Sequence, residues 1–171
     1  MRAVYLTGPT VYLRALAESD AESAAAWFDS LFPINASRAA EFLREEHQEP
    51  WSRRRTLAIA RNDGGEVVGG ARLRIDGRSA QLGFHMAPWA PDADDLRGEA
   101  LGLLVPWLRG ELECLVVSTE IPADEAATLR AAEAAGMRCR VRLREHVARG
   151  GQRVDLLIYQ SVDPTLEGAD A

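Results

Sequence analysis

The sequence predicts an α/β fold, a mixed and mostly antiparallel sheet with helices on both faces. Three observations carry it. Asn62-Asp63-Gly64-Gly65 and Asp76-Gly77 are hairpin signals joining three consecutive strand patterns. The stretch Leu82–Leu108 passes from an apolar run through a loop with Pro88 and Pro91. It ends in the helical stripe Leu101, Leu104, Val105, Leu108. Leu112–Ser118 is almost continuously apolar, the signature of a central strand.

Taken in order, Thr10–Leu16 alternates Val11, Leu13 and Ala15 against Tyr12 and Arg14, a half-buried strand. Ser19 with Glu22 reads as a capping box opening a helix to about Phe28. A break over Ser30–Asn35, with Pro33, precedes a second helix that Ser37 caps and Pro50 stops. Thr56–Ala60, Glu66–Ile75 and the run ending at Met86 follow as strands. Pro106 inside the central helical stripe predicts a kink or an early stop. Pro122 at a first helical position, with Asp124 and Glu125 behind it, opens another helix that Gly136 closes. Cys139–Val147 and Arg153–Gln160 form a last hairpin around Arg149–Gln152.

The 171 residues suit one domain over 1–171, with a tail from about residue 163 expected to be disordered. A formal charge of −6 argues against a nucleic-acid backbone as partner, since phosphate contacts need clustered basic residues. No apolar run reaches the length of a membrane span, and the expected location is the cytoplasm. Cys114 and Cys139, with no histidine at metal spacing, read as two buried free thiols, and no metal is expected.

With the elements in place, further pieces acquire meaning by their shared order. Val11-Tyr-Leu-Arg-Ala-Leu-Ala-Glu-Ser-Asp20 with Trp27 opens the chain, and Gly69-Gly70-Ala-Arg-Leu and Leu82-Gly-Phe-His follow. Gly98-Glu-Ala-Leu-Gly-Leu-Leu, Thr128-Leu to Gly136-Met137, and Leu143-Arg-Glu-His-Val with Asp155-Leu-Leu-Ile-Tyr complete the set. Together they resemble the GNAT family of N-acetyltransferases, within it the branch acting on ribosomal-protein N-termini at alanine or serine.

The resemblance implies a sheet whose two central strands splay apart, with acetyl-CoA as co-substrate between them. It implies transfer of an acetyl group to a primary amine, a protein N-terminus or a small amine, by direct attack. His85, Met86 and Ala87 would line the pantetheine arm, a free backbone N–H polarising the thioester carbonyl. The pyrophosphate would rest on the loop opening the central helix, for which two registers exist. One reads Asp95-Leu96-Arg97-Gly98-Glu99-Ala100. The other anchors on Glu99-Ala100 and puts Asp92 to Arg97 on the loop. Asp92, Asp94, Asp95 and Glu99 oppose a phosphate there, unless they cap the helix instead.

Of catalytic groups, the resemblance names Glu145 as base and Thr128 as acid. Against these stand a surface pairing of Glu145 with Arg142 or Arg144 and a helix hydroxyl at Thr128 bonding backbone. His85 and His146 are further candidate bases, each with a structural alternative. Trp27, Phe32 and Trp51 line an acceptor pocket or pack the core. Glu125 and Ala132 stand where the family carries asparagine and tyrosine. The alternative function is a binding module of the same fold with a decayed phosphate loop. Self-association into a homodimer through sheet edges is the remaining partner expectation.

Overall fold

The computed structural model describes residues 4–29, 34–48 and 53–167. Eight strands form one sheet in the order β1-β2-β3-β4-β5-β6-β8-β7. They span Val4–Thr7 (β1), Val11–Ala15 (β2), Arg54–Arg61 (β3), Val67–Asp76 (β4), Ser79–Met86 (β5), Val116–Pro122 (β6), Arg138–Arg149 (β7) and Gln152–Val162 (β8). Every neighbouring pair is antiparallel except β5–β6, which is parallel. The predicted mixed, mostly antiparallel α/β sheet is therefore the observed one.

The helices are α1 (Ala24–Trp27), α2 (Ala36–Gln48), α3 (Ala93–Gly110), α4 (Ala126–Ala134) and α5 (Pro164–Glu167). Helices α3 and α4 cover one face. Leu96, Leu101, Leu104 and Leu108 pack there on Leu13, Ile59, Leu73 and Val117. Helices α1 and α2 lie on the other face, where Trp27, Ala39 and Leu43 meet Ala58 and Val67.

Several local expectations are corrected. No Ser19–Glu22 capping box forms: Glu18–Ser23 is a 3-10 turn, and the Asp20 carboxylate accepts from the Ala17 N–H at 2.7 Å. Asn35, not Ser37, caps α2, its Oδ1 accepting from the Arg38 N–H at 2.8 Å. Helix α3 continues through Pro106, which is exposed, so water can serve the carbonyl that its missing N–H leaves. Pro122 ends β6 rather than opening α4, whose N-cap is Glu125. Cys114 is buried, but Cys139 is exposed on the edge strand β7. The short helix α5 occupies part of the tail expected to be disordered. Strand β1 has no counterpart in the sequence reading. The Gly136 and Gly150-Gly151 turns stand as expected, with positive φ at all three. Phe32, Pro33, Pro50 and Trp51, and the His47 side chain, lie outside the described residues.

Candidate active site

The parallel pairing of β5 with β6 runs from Ser79↔Val116 to Leu82↔Thr119 and stops. Strand β5 then follows β4 as far as Met86, while β6 follows β8 as far as Pro122. The two central strands thus open into a wedge, as the sequence resemblance implied. The Ala87 N–H donates to the Val68 carbonyl at 2.8 Å. By antiparallel alternation, His85 and Gly83 then bond toward β4, whereas the N–H groups of Phe84 and Met86 face the gap. A cleft of about 810 Å³ runs through the wedge from the α1–α2 side of the sheet to α3. Gly83 and Phe84 line it from β5, Glu120 and Pro122 from β6, and Arg97 from α3.

A buried ion pair sets the α1 wall of this cleft. Arg14 is fully buried on β2 and forks onto Asp20, Nη1 to Oδ2 at 2.6 Å and Nη2 to Oδ1 at 2.9 Å. The Asp20 carbonyl accepts from the Trp27 indole at 2.8 Å. Trp27 in turn sits on Gly70, where a Cβ would come within 2.6 Å of its carbonyl oxygen. This chain of contacts presents Trp27, Phe28 and Asp29 to the cleft. Asp29 pairs with Arg72 of β4 at 2.6 Å.

Three of the four acids beside the wedge are occupied elsewhere, and Asp95 stands in the first turn of α3. Asp92 takes both oxygens to the Arg61 guanidinium, at 2.6 and 2.9 Å, which holds its carboxyl below the ordinary range. Asp94 accepts from the N–H groups of Ala127 and Thr128 and from the Thr128 hydroxyl, so it caps α4. Burial pushes its carboxyl up, but these three donors together outweigh that and keep it low. Glu99 reaches across to the N–H groups of Thr10 and Val11 at 2.8 and 3.0 Å.

The structure disposes of the sequence-predicted cofactor residues in two groups. His85, Met86 and Ala87 stand at the end of β5. The His85 ring meets the Ala25 carbonyl at 3.1 Å, and the Ala87 N–H is taken by Val68. Asp95, Leu96, Arg97, Gly98, Glu99 and Ala100 all lie inside α3, which begins at Ala93. The Leu96 N–H already bonds Asp92, so a helix ladder uses the amides from there onward. Only the amides of Ala93, Asp94 and Asp95 remain in the unpaired first turn. Gly98 packs on α4: a Cβ there would lie 3.0 Å from the Ala127 carbonyl. Arg97 alone of the six faces the cleft, ion-paired with the buried Glu125, which also binds Arg149.

Neither predicted catalytic group lines the cleft. Thr128 is buried, its hydroxyl donating to Asp94 Oδ1 at 2.7 Å. Glu145 sits at φ 47° in a bulge of β7, its side chain exposed. Strand β8 stands between it and β6. Its N–H and Arg142 hold Asp155 below the ordinary carboxylate range. His146, beside it in the same bulge, is also exposed.

Sequence reasoning missed Glu120. On β6, Val117, Thr119 and Ile121 are buried toward α3, so the alternation sends Glu120 to the opposite face, at the wedge mouth. The signal was present in the alternation, but the predicted strand ended at Ser118, two residues short.

No family model and no curated protein matches this sequence. Among solved structures, a candidate acetyltransferase from Sphaerobacter thermophilus is 60% identical. The alignment covers 96% of this chain and 99% of that one, with a TM-score of 0.78. A GNAT-family acetyltransferase from Bacillus anthracis shares the fold at 12% identity, covering 94% and 98% of the two chains with a TM-score of 0.65. The chain belongs to the GNAT family of acetyltransferases. RimJ of Mycobacterium smegmatis, solved with a CoA disulfide, shares the GNAT fold at 15% identity, 98% and 88% coverage and a TM-score of 0.68.

Proposed function

We propose that this GNAT acetyltransferase takes acetyl-CoA through the wedge and acetylates a primary amine that enters from the α1–α2 side, in the cytoplasm. The observation that carries the reading is the end of β5–β6 pairing at Leu82↔Thr119, with one continuous cleft crossing the sheet there. The residues present fit the co-substrate. Unpaired main-chain donors border the gap, and three of the four acids beside it, Asp92, Asp94 and Glu99, are tied to Arg61, α4 and the β1–β2 turn. The Phe84 and Met86 amides would hold the thioester carbonyl, and the first-turn amides of α3 would face the pyrophosphate.

When bound, acetyl-CoA supplies an electrophilic thioester carbonyl and a thiolate leaving group. The acceptor arrives as an ammonium and must give up a proton before its nitrogen has a lone pair to use. Glu120, across the wedge from Gly83, is the carboxylate we assign to receive that proton. As the C–N bond forms and the C–S bond breaks, the second proton lost by the nitrogen goes to the departing sulfur. Trp27, Phe28 and Phe42 close one end of the cleft with an aromatic cluster, which limits water around the amine.

The test is CoA release from acetyl-CoA with a panel of amines, in wild type and in Glu120→Gln. General-base removal predicts a kcat about 10²–10⁴-fold lower with acetyl-CoA binding unchanged. Glu145→Gln and Thr128→Ala, outside the cleft, should turn over at the wild-type rate. A Glu120→Gln enzyme at full rate with a slow Glu145→Gln enzyme would reverse the assignment.

A further inference from the structure

Adjacent residues on a strand point to opposite faces of a sheet, and on β6 that alternation falls where the wedge opens. Glu120 goes to the α1–α2 face, while Thr119 goes to the α3 face with Val117 and Ile121. Thr119 is 2% exposed, and its Oγ1 is buried with no hydrogen-bond partner among the described residues. Native proteins rarely bury a hydroxyl in this state, because the group forfeits its bonds to water and gains none. Valine would fill the same volume without that cost.

The hydroxyls on the surrounding elements already have partners. Ser118 donates to the Ala80 carbonyl at 3.5 Å, Thr128 to Asp94 at 2.7 Å and Tyr159 to Glu133 at 3.2 Å. Ser161 accepts from Arg109 at 2.9 Å. Thr119 is left, on the last rung of the β5–β6 pairing and directly beside Leu82. Leu82 and Arg97 of α3 both line the cleft, so the cavity reaches the α3 face next to this hydroxyl.

We propose that Thr119 is a catalytic residue whose hydroxyl donates a hydrogen bond to the sulfur of the bound thioester and to the thiolate that leaves. This rests on the acetyl-transfer reading of the wedge and adds the group that serves its leaving end. The placement matches the direction of the reaction. The amine comes from the α1–α2 face, where Glu120 stands, and the sulfur recedes toward α3, where Thr119 stands. As the C–N bond forms, the C–S bond breaks and leaves its electron pair on sulfur. Thr119 donates to that pair and keeps its own proton, and the proton shed by the nitrogen neutralises the sulfur. A donor whose bond strengthens as charge develops favours the transition state over the bound thioester.

The experiment uses Thr119→Val, Thr119→Ala and Thr119→Ser, and it reads the sulfur apart from turnover. Calorimetry compares the dissociation constants of CoA and desulfo-CoA, which differ only at the sulfur. The thiolate absorbance of bound CoA is followed against pH. Wild type should bind CoA more tightly than desulfo-CoA at alkaline pH. The valine and alanine variants should lose about tenfold or more of that preference, the effect of one charge-assisted hydrogen bond. Their bound thiol should titrate about one pH unit higher, the same tenfold. Their kcat for acetyl transfer should fall by about tenfold or more with KM for acetyl-CoA near wild type, and Thr119→Ser should restore all three readings. Without ligand, Thr119→Val should melt no lower than wild type, since an unpaired hydroxyl has no bond to lose. Wild-type kcat in both variants, or an unchanged CoA preference at any kcat, overturns the proposal. So does a Thr119→Val chain that melts well below wild type, which would show the hydroxyl bonded in the free protein. Failure of wild type to bind CoA at all overturns the acetyl-transfer reading, and the role of Thr119 with it.

Discussion

Asp94 illustrates how a single residue beside a reactive cleft is committed to structure. Its carboxylate receives three donors from the start of α4 and so fixes α4 against α3. Replacing a cap of this kind costs about 1–2 kcal/mol, and Asp94→Asn should lower the melting temperature accordingly. The folded-state acidity of Asp94 is raised, its pKa lying below that of the unfolded chain. Its contribution is therefore fully present above the ordinary carboxylate pKa of about 4 and disappears as pH falls through the lower folded value. The difference in melting temperature between wild type and Asp94→Asn should accordingly shrink on acidification below pH ~4. A difference that grows there would show that the cap is not ionised. The buried Arg14–Asp20 pair makes the converse point. It could not be told from an ordinary strand arginine and cap aspartate in the sequence, because its worth depends on both being driven out of water by Trp27 and β3.

At the scale of elements, the strands were legible where alternation and turn chemistry agree. The β3–β4–β5 meander follows from Asn62–Gly65 and Asp76-Gly77, whose glycines Gly64, Gly65 and Gly77 take positive φ. The start of α3 was not legible. The acids at 92–95 read equally as loop or first turn, and the decision lies in Arg61 and α4, both distant in the chain. That is why the expected phosphate cradle over 95–100 proves to be helix. Gly70 is a second such case. Its role was carried only as part of a resemblance, whereas the structure shows α1 seated directly on it. Gly70→Ala must push the Trp27 backbone away, a cost of about 1–3 kcal/mol for overpacking. The observable is a lower melting temperature together with a raised KM for the acceptor, since Trp27 and Phe28 form the cleft wall. An unchanged KM would separate α1 from the acceptor site.

The whole molecule shows what a pattern of charge can and cannot convey. Net charge and composition argued against a nucleic-acid partner but could not show which arginines meet. Arg54 and Arg74 are separated by hairpin residues in sequence and meet only through register. Glu120 was missed because the predicted strand stopped at Ser118, and its place opposite Gly83 follows only from where the β5–β6 pairing ends. The wedge itself was anticipated only through the family resemblance, and the structure shows it where the parallel β5–β6 pairing stops at Leu82↔Thr119. Acetyl transfer here depends on that opening admitting a thioester-bearing arm. The most direct test is the melting temperature of the protein titrated with acetyl-CoA. At ~100 times its dissociation constant the ligand should add about 2.7 kcal/mol. For a chain of this size that is a rise of about 5–10 °C. A melting temperature unmoved by millimolar acetyl-CoA would contradict the account.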